Sequence, residues 1–394
     1  MQMKMRRHKS FARIVSVLFP LCMAIGLAGC GKFFVPENGG GGGGGGGTGT
    51  GNYFYVANQT TGSVAGFALG TRGITNTSNS PYVLGVVSPS AITVTPNGRY
   101  IYVGTVGAIY GYSVGSNGAL TLLNGGSALI SGISPSAVRV DPSGNWLIAA
   151  DPFPEAFVFS IDANSGMLTQ QGTQLDLNAG VPTRIVFTPS NGLVYISLAT
   201  SEAQPMNSGG VQVCTFNQSA GSLSKTNQFL LPLSAGNGDY GLAVDPAGKY
   251  LFVAETGANA IRVLSIAATG ALTRVSGSPF QTGLGPKAVL VDSTGAYVYV
   301  ANATDGTISA FSLAAATGAL TAISGSPFRT GVAPSDLVED TSDKYIGVAN
   351  QGGNPDFQVF AIGGATSATP GGLTSFAKTT GNNPSGTLAV VATD

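Results

Sequence analysis

Residues 297–313 read YVYVANATDGTISAFSL, and near copies of that stretch stand at 250–266 (YLFVAETGANAIRVLSI) and 53–68 (YFYVANQTTGSVAGFA). Each copy is an alternating apolar run, a polar turn and a second alternating run, the pattern of a half-buried β-hairpin. Aligning the first residue of the run gives Tyr53, Tyr100, Trp146, Leu193, Tyr250, Tyr297 and Tyr345, with spacings of 47, 46, 47, 57, 47 and 48 residues. The one long interval carries the loop-forming stretch EAQPMNSGG (202–210), which reads as a lengthened turn and not as an eighth repeat.

A further strand pattern ending in a turn precedes six of the seven starts: SAITVTPNG, SAVRVDPSG, TRIVFTPSNG, YGLAVDPAG, KAVLVDSTG and SDLVEDTSD. Nothing of the kind precedes Tyr53, but NPSGTLAVVATD (383–394) at the far end of the chain has the same alternation with no hairpin after it. A fourth run follows TGAL, as in TAISGSPF, so each repeat supplies four short antiparallel strands. A period of this length with four strands is that of a propeller blade, and it is too long for leucine-rich or ankyrin units. The expected fold is therefore all-β, a seven-bladed β-propeller over residues 53–394, closed by the C-terminal strand joining the N-terminal blade. Closure of that kind leaves no sheet edge unpaired at the ring's ends.

Composition agrees, since 59 of the 394 residues are glycine and only 9% are charged. Lys4, Arg6, Arg7, Lys9 and Arg13 precede an apolar stretch from Ile14 to Leu27, the order of a secretory signal peptide, expected over residues 1–29. The words Leu27-Ala28-Gly29-Cys30 resemble the bacterial lipobox, which implies cleavage before Cys30 and its lipidation. Several acyl chains on one residue anchor stably, at about 0.8 kcal/mol per buried methylene. The following segment, 30–52, contains nine consecutive glycines (Gly39–Gly47) and reads as a flexible tether spanning about 25 Å. Cys22 leaves with the signal, so Cys214 is the only thiol left free and no intrachain disulfide is expected. The mature chain keeps 13 basic against 18 acidic residues, which excludes the basic footprint of a nucleic-acid binder. The expected address is the bacterial cell envelope, outside the cytoplasm, in the outer membrane where there is one because Gly31 is not the aspartate of inner-membrane retention.

In a four-stranded antiparallel blade, the second-to-third turn and the connection into the next blade lie at one end. Residues there converge from all blades on the mouth of a central channel, the default site. Five places after each repeat start stand Asn58, Thr105, Asp151, Leu198, Glu255, Asn302 and Asn350. Asparagine in such a turn ordinarily bonds the turn backbone, whereas Glu255 is too long for that and is the candidate proton acceptor. The interblade connections add Arg184, Asp239, Tyr240, Lys287 and Asp336. Asp151, Arg184, Asp239, Tyr240, Glu255, Lys287, Asn302 and Asp336 are thus the candidate ligand-binding residues, mixed in sign. The Glu, Asn and Asp oxygens of the ring five places after each start would suit calcium, while zinc lacks ligands, and no other cofactor is implied.

The words YVAN (55–58 and 299–302), GVAN (347–350) and TGAL followed by SGSPF resemble the YVTN-type propeller repeat. Over residues 53–394 the chain is similar to the lactonase family of seven-bladed propellers, which includes 6-phosphogluconolactonase. Those motifs are strand and turn residues, so they specify the blade and not the chemistry. The resemblance implies a Pro-Arg-His at an interblade connection and a His-Pro after a first strand. The blade holding Glu255 has Asp239-Tyr240-Gly241 and Asp245-Pro246 instead, and only Glu255 matches the acidic residue of the family's Asn-Glu. The one histidine, His8, lies in the signal. The expectation is a lipid-anchored ligand-binding or protein-interaction module whose partner is a small molecule or an envelope protein. Lactone hydrolysis by carboxylates is the alternative, and a structural envelope component a second one.

Overall fold

The computed structural model describes residues 52–85, 87–177, 180–199, 210–230, 241–379 and 386–394. The signal peptide, Cys30 and the glycine tether lie outside the described residues, as does most of the lengthened turn at 202–210. What is described forms seven separate antiparallel sheets, each with a main path of four strands. The seven repeat starts all open second strands: Asn52–Asn58, Tyr100–Thr105, Trp146–Asp151, Leu193–Ala199, Tyr250–Glu255, Tyr297–Asn302 and Tyr345–Gly353.

The first strands form the inner ring. Pro89–Val94, Ala137–Val140, Val181–Phe187, Leu242–Val244, Pro286–Val291, Val332–Glu339 and Thr387–Thr393 each touch the next, and the last touches the first. Thr387–Thr393 pairs with Asn52–Asn58, setting Tyr53 opposite Thr393 and Ala57 opposite Ala389, so the C-terminal strand completes blade 1. Asn52 opens that strand at the end opposite the expected mouth, where its amide donates to Asp340 Oδ2 of blade 7 at 2.8 Å and accepts from Thr341.

The recurrent Asp/Thr after each inner strand has a clear local role. Asp141, Asp245, Asp292 and Asp340 accept the backbone N–H of Trp146, Tyr250, Tyr297 and Tyr345 at 2.8, 2.6, 2.6 and 2.7 Å, stapling the hairpin from first to second strand. Thr95 and Thr188 do the same through their hydroxyls for Tyr100 and Leu193.

The fourth run departs from the simple expectation. In blades 1, 2, 5 and 6 it breaks into two short pieces, such as Leu320–Ala322 and Phe328–Arg329, both paired with the third strand. In blades 5 and 6 the break falls at SGSP, where Gly325 takes φ of +87°, a conformation that glycine adopts without a steric penalty. Ser326 Oγ then accepts the Ala310 N–H at 2.9 Å, and Ser278 Oγ the Val263 N–H at 2.8 Å. A side chain thereby satisfies a third-strand donor that a continuous fourth strand would have taken.

Between blades lie seven hydrophobic clusters, one per junction. On the side facing the following blade, the first and third residues of the repeat do most of the contact. Tyr55, Tyr102, Tyr195 and Tyr299 donate across the junction to the carbonyls of Gly118, Gly166, Gly270 and Gly371, at 2.8, 2.9, 3.4 and 2.9 Å. The ring of Tyr53 lies so close over Gly118 that an added Cβ would come within 2.3 Å of it, and Tyr297 over Gly371 repeats that contact. Gly318 of TGAL meets the Tyr250 ring in the same way, at 2.6 Å from an added Cβ, so this glycine is a contact requirement as much as a turn residue.

The junction between blades 7 and 1 is built otherwise. Gly347 stands where the other repeats carry Tyr, Ile or Phe, and Phe54 of blade 1 fills the space, 2.9 Å from where a Cβ would be. Phe357 lies 5.4 Å from Phe54 and stacks on Phe67 at 5.2 Å, centroid to centroid.

Candidate functional site

Pro89, Pro182, Pro286 and Pro334 pair with Thr105, Leu198, Asn302 and Asn350, the last turns of the second strands, which marks that end as the mouth. Proline begins an inner strand without costing a ladder bond, because it has no N–H to leave unpaired.

The residues five places after each repeat start do not line this mouth. All seven are buried, from 0% exposed at Asn302 to 6% at Asn58. Asp151 accepts the Phe153 N–H at 2.9 Å with one oxygen and the Ser134 N–H at 2.7 Å with the other. Asn302 donates to Thr307 and Ser309, and Asn350 accepts from Thr330 at 3.1 Å. Glu255 is 1% exposed and takes Arg262 Nε at 2.5 Å, the guanidinium being on the neighbouring strand of its own blade. The candidate proton acceptor Glu255 is thus half of a buried ion pair, a tether for the hairpin. Among the described residues no group of three or more His, Cys, Asp or Glu is placed to hold a metal ion.

What the inner strands do bring together is Arg184, Asp336 and Arg139. They line a channel cavity of about 170 Å³ whose other walls include Ala91, Val186, Leu290 and Val391. Arg184 Nη2 stands 3.8 Å from Asp336 Oδ1, and its donors reach the carbonyls of Thr183 and Ser335 at 3.3 Å each. Asp336 Oδ2 accepts the Val390 N–H at 3.1 Å. Arg184 keeps 33% of its side-chain surface and Asp336 21%, so both are reachable from solvent. A guanidinium carries five donors, and three long contacts leave Arg184 capacity for a ligand.

The electrostatics follow from the apolar walls. Burial raises the Asp336 carboxyl above the ordinary range, against the pull of Arg184 and the Val390 N–H. Burial lowers Arg139 to about 10, Asp336 opposing that shift and Arg184 adding to it. Lower in the channel, burial lifts Glu339 to about 8; the Ser293 N–H, donated at 2.7 Å, opposes this, while Asp292, Asp343 and Asp340 reinforce it. The upper channel, among the described residues, therefore sets two guanidiniums against one carboxylate.

Lys287 stands one residue above the lined stretch that begins at Ala288. Asp239 and Tyr240 lie outside the described residues. Arg139 was missed in the sequence, although SAVRVDPSG places a cation at a position that reads Thr93 or Leu290 in sister strands. A second cavity, of about 500 Å³, lies at the junction of blades 7 and 1, lined by Asn58, Ser63, Phe67, Asp356 and Lys378 among others.

A family profile described as "Lactonase, 7-bladed beta-propeller" matches residues 48–187, 156–331 and 273–375. Among solved structures, a Lactobacillus plantarum protein aligns with TM-score 0.67 and 20% identity over 88% of this chain and 100% of its own. A Bacteroides fragilis protein provisionally named a 6-phosphogluconolactonase aligns with TM-score 0.66 and 16% identity, over 88% and 99%. The periplasmic gluconolactonase of Pseudomonas aeruginosa gives TM-score 0.63 and 18% identity, over 87% and 99%. At these identities the structural likeness establishes the fold. No curated protein matches the sequence.

Proposed function

This chain belongs to the lactonase family of seven-bladed β-propellers, and from that premise we propose that it is a binding module that takes a small anionic group at the mouth of its central channel. The observation carrying this reading is Arg184, held in reach of solvent by two backbone carbonyls and one carboxylate, above Arg139 in an apolar channel. A charge-assisted hydrogen bond in such surroundings is worth about 1.5–3 kcal/mol. Calorimetric titration with gluconate and 6-phosphogluconate tests it. Binding weakened about 10-fold or more by Arg184→Gln is expected. Equal affinity in parent and variant, or heat from neither anion, rejects the reading.

Lactone hydrolysis at the same place is the second reading, favoured by one specific observation. Asp336 has a raised carboxyl beside a guanidinium, the pairing of a general base with a group that could stabilise an oxyanion. It replaces Glu255 in that role, since Glu255 is occupied by Arg262. Loss of glucono-δ-lactone above the spontaneous rate, abolished by Asp336→Asn, would establish hydrolysis. We also propose that Cys30 carries the lipid anchor, supported by the order of charge, apolar run and Leu-Ala-Gly-Cys. Labelling with an alkynyl fatty acid should vanish in Cys30→Ser.

A further inference from the structure

Five large apolar side chains are strongly exposed among the described residues: Phe153 (77%), Val106 (69%), Val83 (61%), Val332 (56%) and Leu284 (49%). Single exposed apolar residues need no explanation. These five share one feature, however: each lies at the mouth end, in a turn, a connection or the end of a strand, and none at the opposite end. Val106 is in the second-to-third turn of blade 2 and Phe153 in that of blade 3. Leu284 and Val332 lie where the chain enters blades 6 and 7, and Val83 pairs with Ser63 at the mouth end of blade 1.

The backbone under them is pinned. Asp151 grips the Phe153 N–H, and Pro152 and Pro154 flank it. Ser134 connects the two neighbouring turns, donating its N–H to Asp151 and accepting the Gly107 N–H on its hydroxyl at 3.0 Å. Val106 and Phe153 therefore belong to one fixed surface. Across the mouth, the Leu284 N–H is held by Asp305 Oδ2 at 2.5 Å and its carbonyl by the Thr304 N–H at 3.1 Å. A side chain kept in water by a rigid turn forgoes burial that a frayed loop could still find.

The channel between them is small. Ligand pockets run to roughly 300–1,000 Å³, whereas this cavity offers about 170 Å³. That is room for a carboxylate and a few carbons, too little for a body that would also cover Phe153 and Leu284.

We infer that the mouth docks an extended segment of a partner protein that inserts an Asp or Glu side chain towards Arg184 and lays apolar neighbours on the Val106–Phe153 surface. This rests on the anion-binding reading, and it names the carrier of the anion. The charge count in the upper channel favours one acid, and the pinned apolar rim supplies what surrounds a binding hot spot, a dry border of rigid contacts.

The test is selection from a random peptide library displayed on phage, with the full chain in detergent, immobilised by its N-terminal segment so that the mouth is free. Enriched sequences should carry Asp or Glu with apolar residues within two positions. A synthetic copy should bind the parent about 10-fold or more tightly than either Arg184→Gln or the double variant Val106→Ser, Phe153→Ser, and lose the same factor when its acid becomes the amide. Val106 and Phe153 are exposed and Arg184 is partly so, and unchanged melting curves will show that both variants fold. No enrichment above the library background overturns the inference, as does an enriched motif without an acid or binding indifferent to the apolar pair. Gluconate binding with no peptide enrichment would leave the small-anion reading standing and remove this one.

Discussion

The junctions within the ring and the junction that closes it are made differently. Four of the internal ones are latched by a tyrosine hydroxyl donating to a glycine carbonyl of the next blade, and at three of them, Gly118, Gly166 and Gly371, a second tyrosine ring lies against that glycine. Among the described residues the closing one has no such latch; Gly347 and Phe54 exchange large for small, and three phenylalanines fill the gap. Repeats that all matched their neighbours equally would let a blade of another copy insert anywhere. A seam that fits only itself gives the C-terminal strand one place to dock.

The largest effect that could break this comparison is loss of residues 386–394. Blade 1 would lose its inner strand and expose the edge of Asn52–Asn58. We expect a fall in melting temperature of about 10 °C or more, or no soluble monomer; an unchanged melting curve would mean the ring does not need its closing strand. Next, Gly347→Tyr imposes the internal pattern on the seam, and its side chain must collide with Phe54. Denaturant titration should show a loss of about 3 kcal/mol, of which Phe54→Val added to the same chain restores at least half. If the second change restores nothing, the exchange of sizes is not what fits the seam.

Smaller effects sharpen the internal side. Tyr299→Phe leaves the Gly371 carbonyl without its buried donor and should cost about 1 kcal/mol. Tyr195→Phe, whose bond is 3.4 Å long, should cost less. Smallest is Glu339, which ties blade 7 to the Ser293 N–H of blade 6. Its carboxyl is lifted from the ordinary 4.5 to about 8 in the fold, so the protonated form is favoured. Its stabilising contribution is therefore full below pH 4.5 and lost as pH rises through 8. Melting curves of Glu339→Gln and parent should coincide at pH 4.5 and separate in the variant's favour by about 2 °C or more at pH 8.

Most of the architecture could be read from the repeat alone, because a hairpin copied seven times at a spacing near 47 residues fits a four-stranded propeller blade and no shorter repeat unit. The closing strand was legible for a bookkeeping reason: six preceding strands for seven hairpins left one over at the C-terminus. The Gly347–Phe54 exchange was not, since it depends on which residues face each other across a closure that sequence spacing does not display. At the mouth, Arg184 and Asp336 were visible as charges in connections, but only the three-dimensional ring sets them 3.8 Å apart. Glu255 misled because its partner, Arg262, sits seven residues on, in a strand where it reads as an outward-facing surface charge.

The clamp of Asn52 on Asp340 and Thr341 has a mechanical side. Tension arriving through the N-terminal segment enters at the end opposite the mouth and runs along the Asn52–Asn58 strand. That strand is flanked on both sides by paired neighbours, Thr387–Thr393 and Ser63–Gly70. Its ladder bonds are then strained together in shear, not opened one after another like a zipper, and the clamp passes part of the pull to blade 7. A body held at the mouth would pull from the other end of the ring, so the load would fall on a strand paired on both sides and clamped to the neighbouring blade.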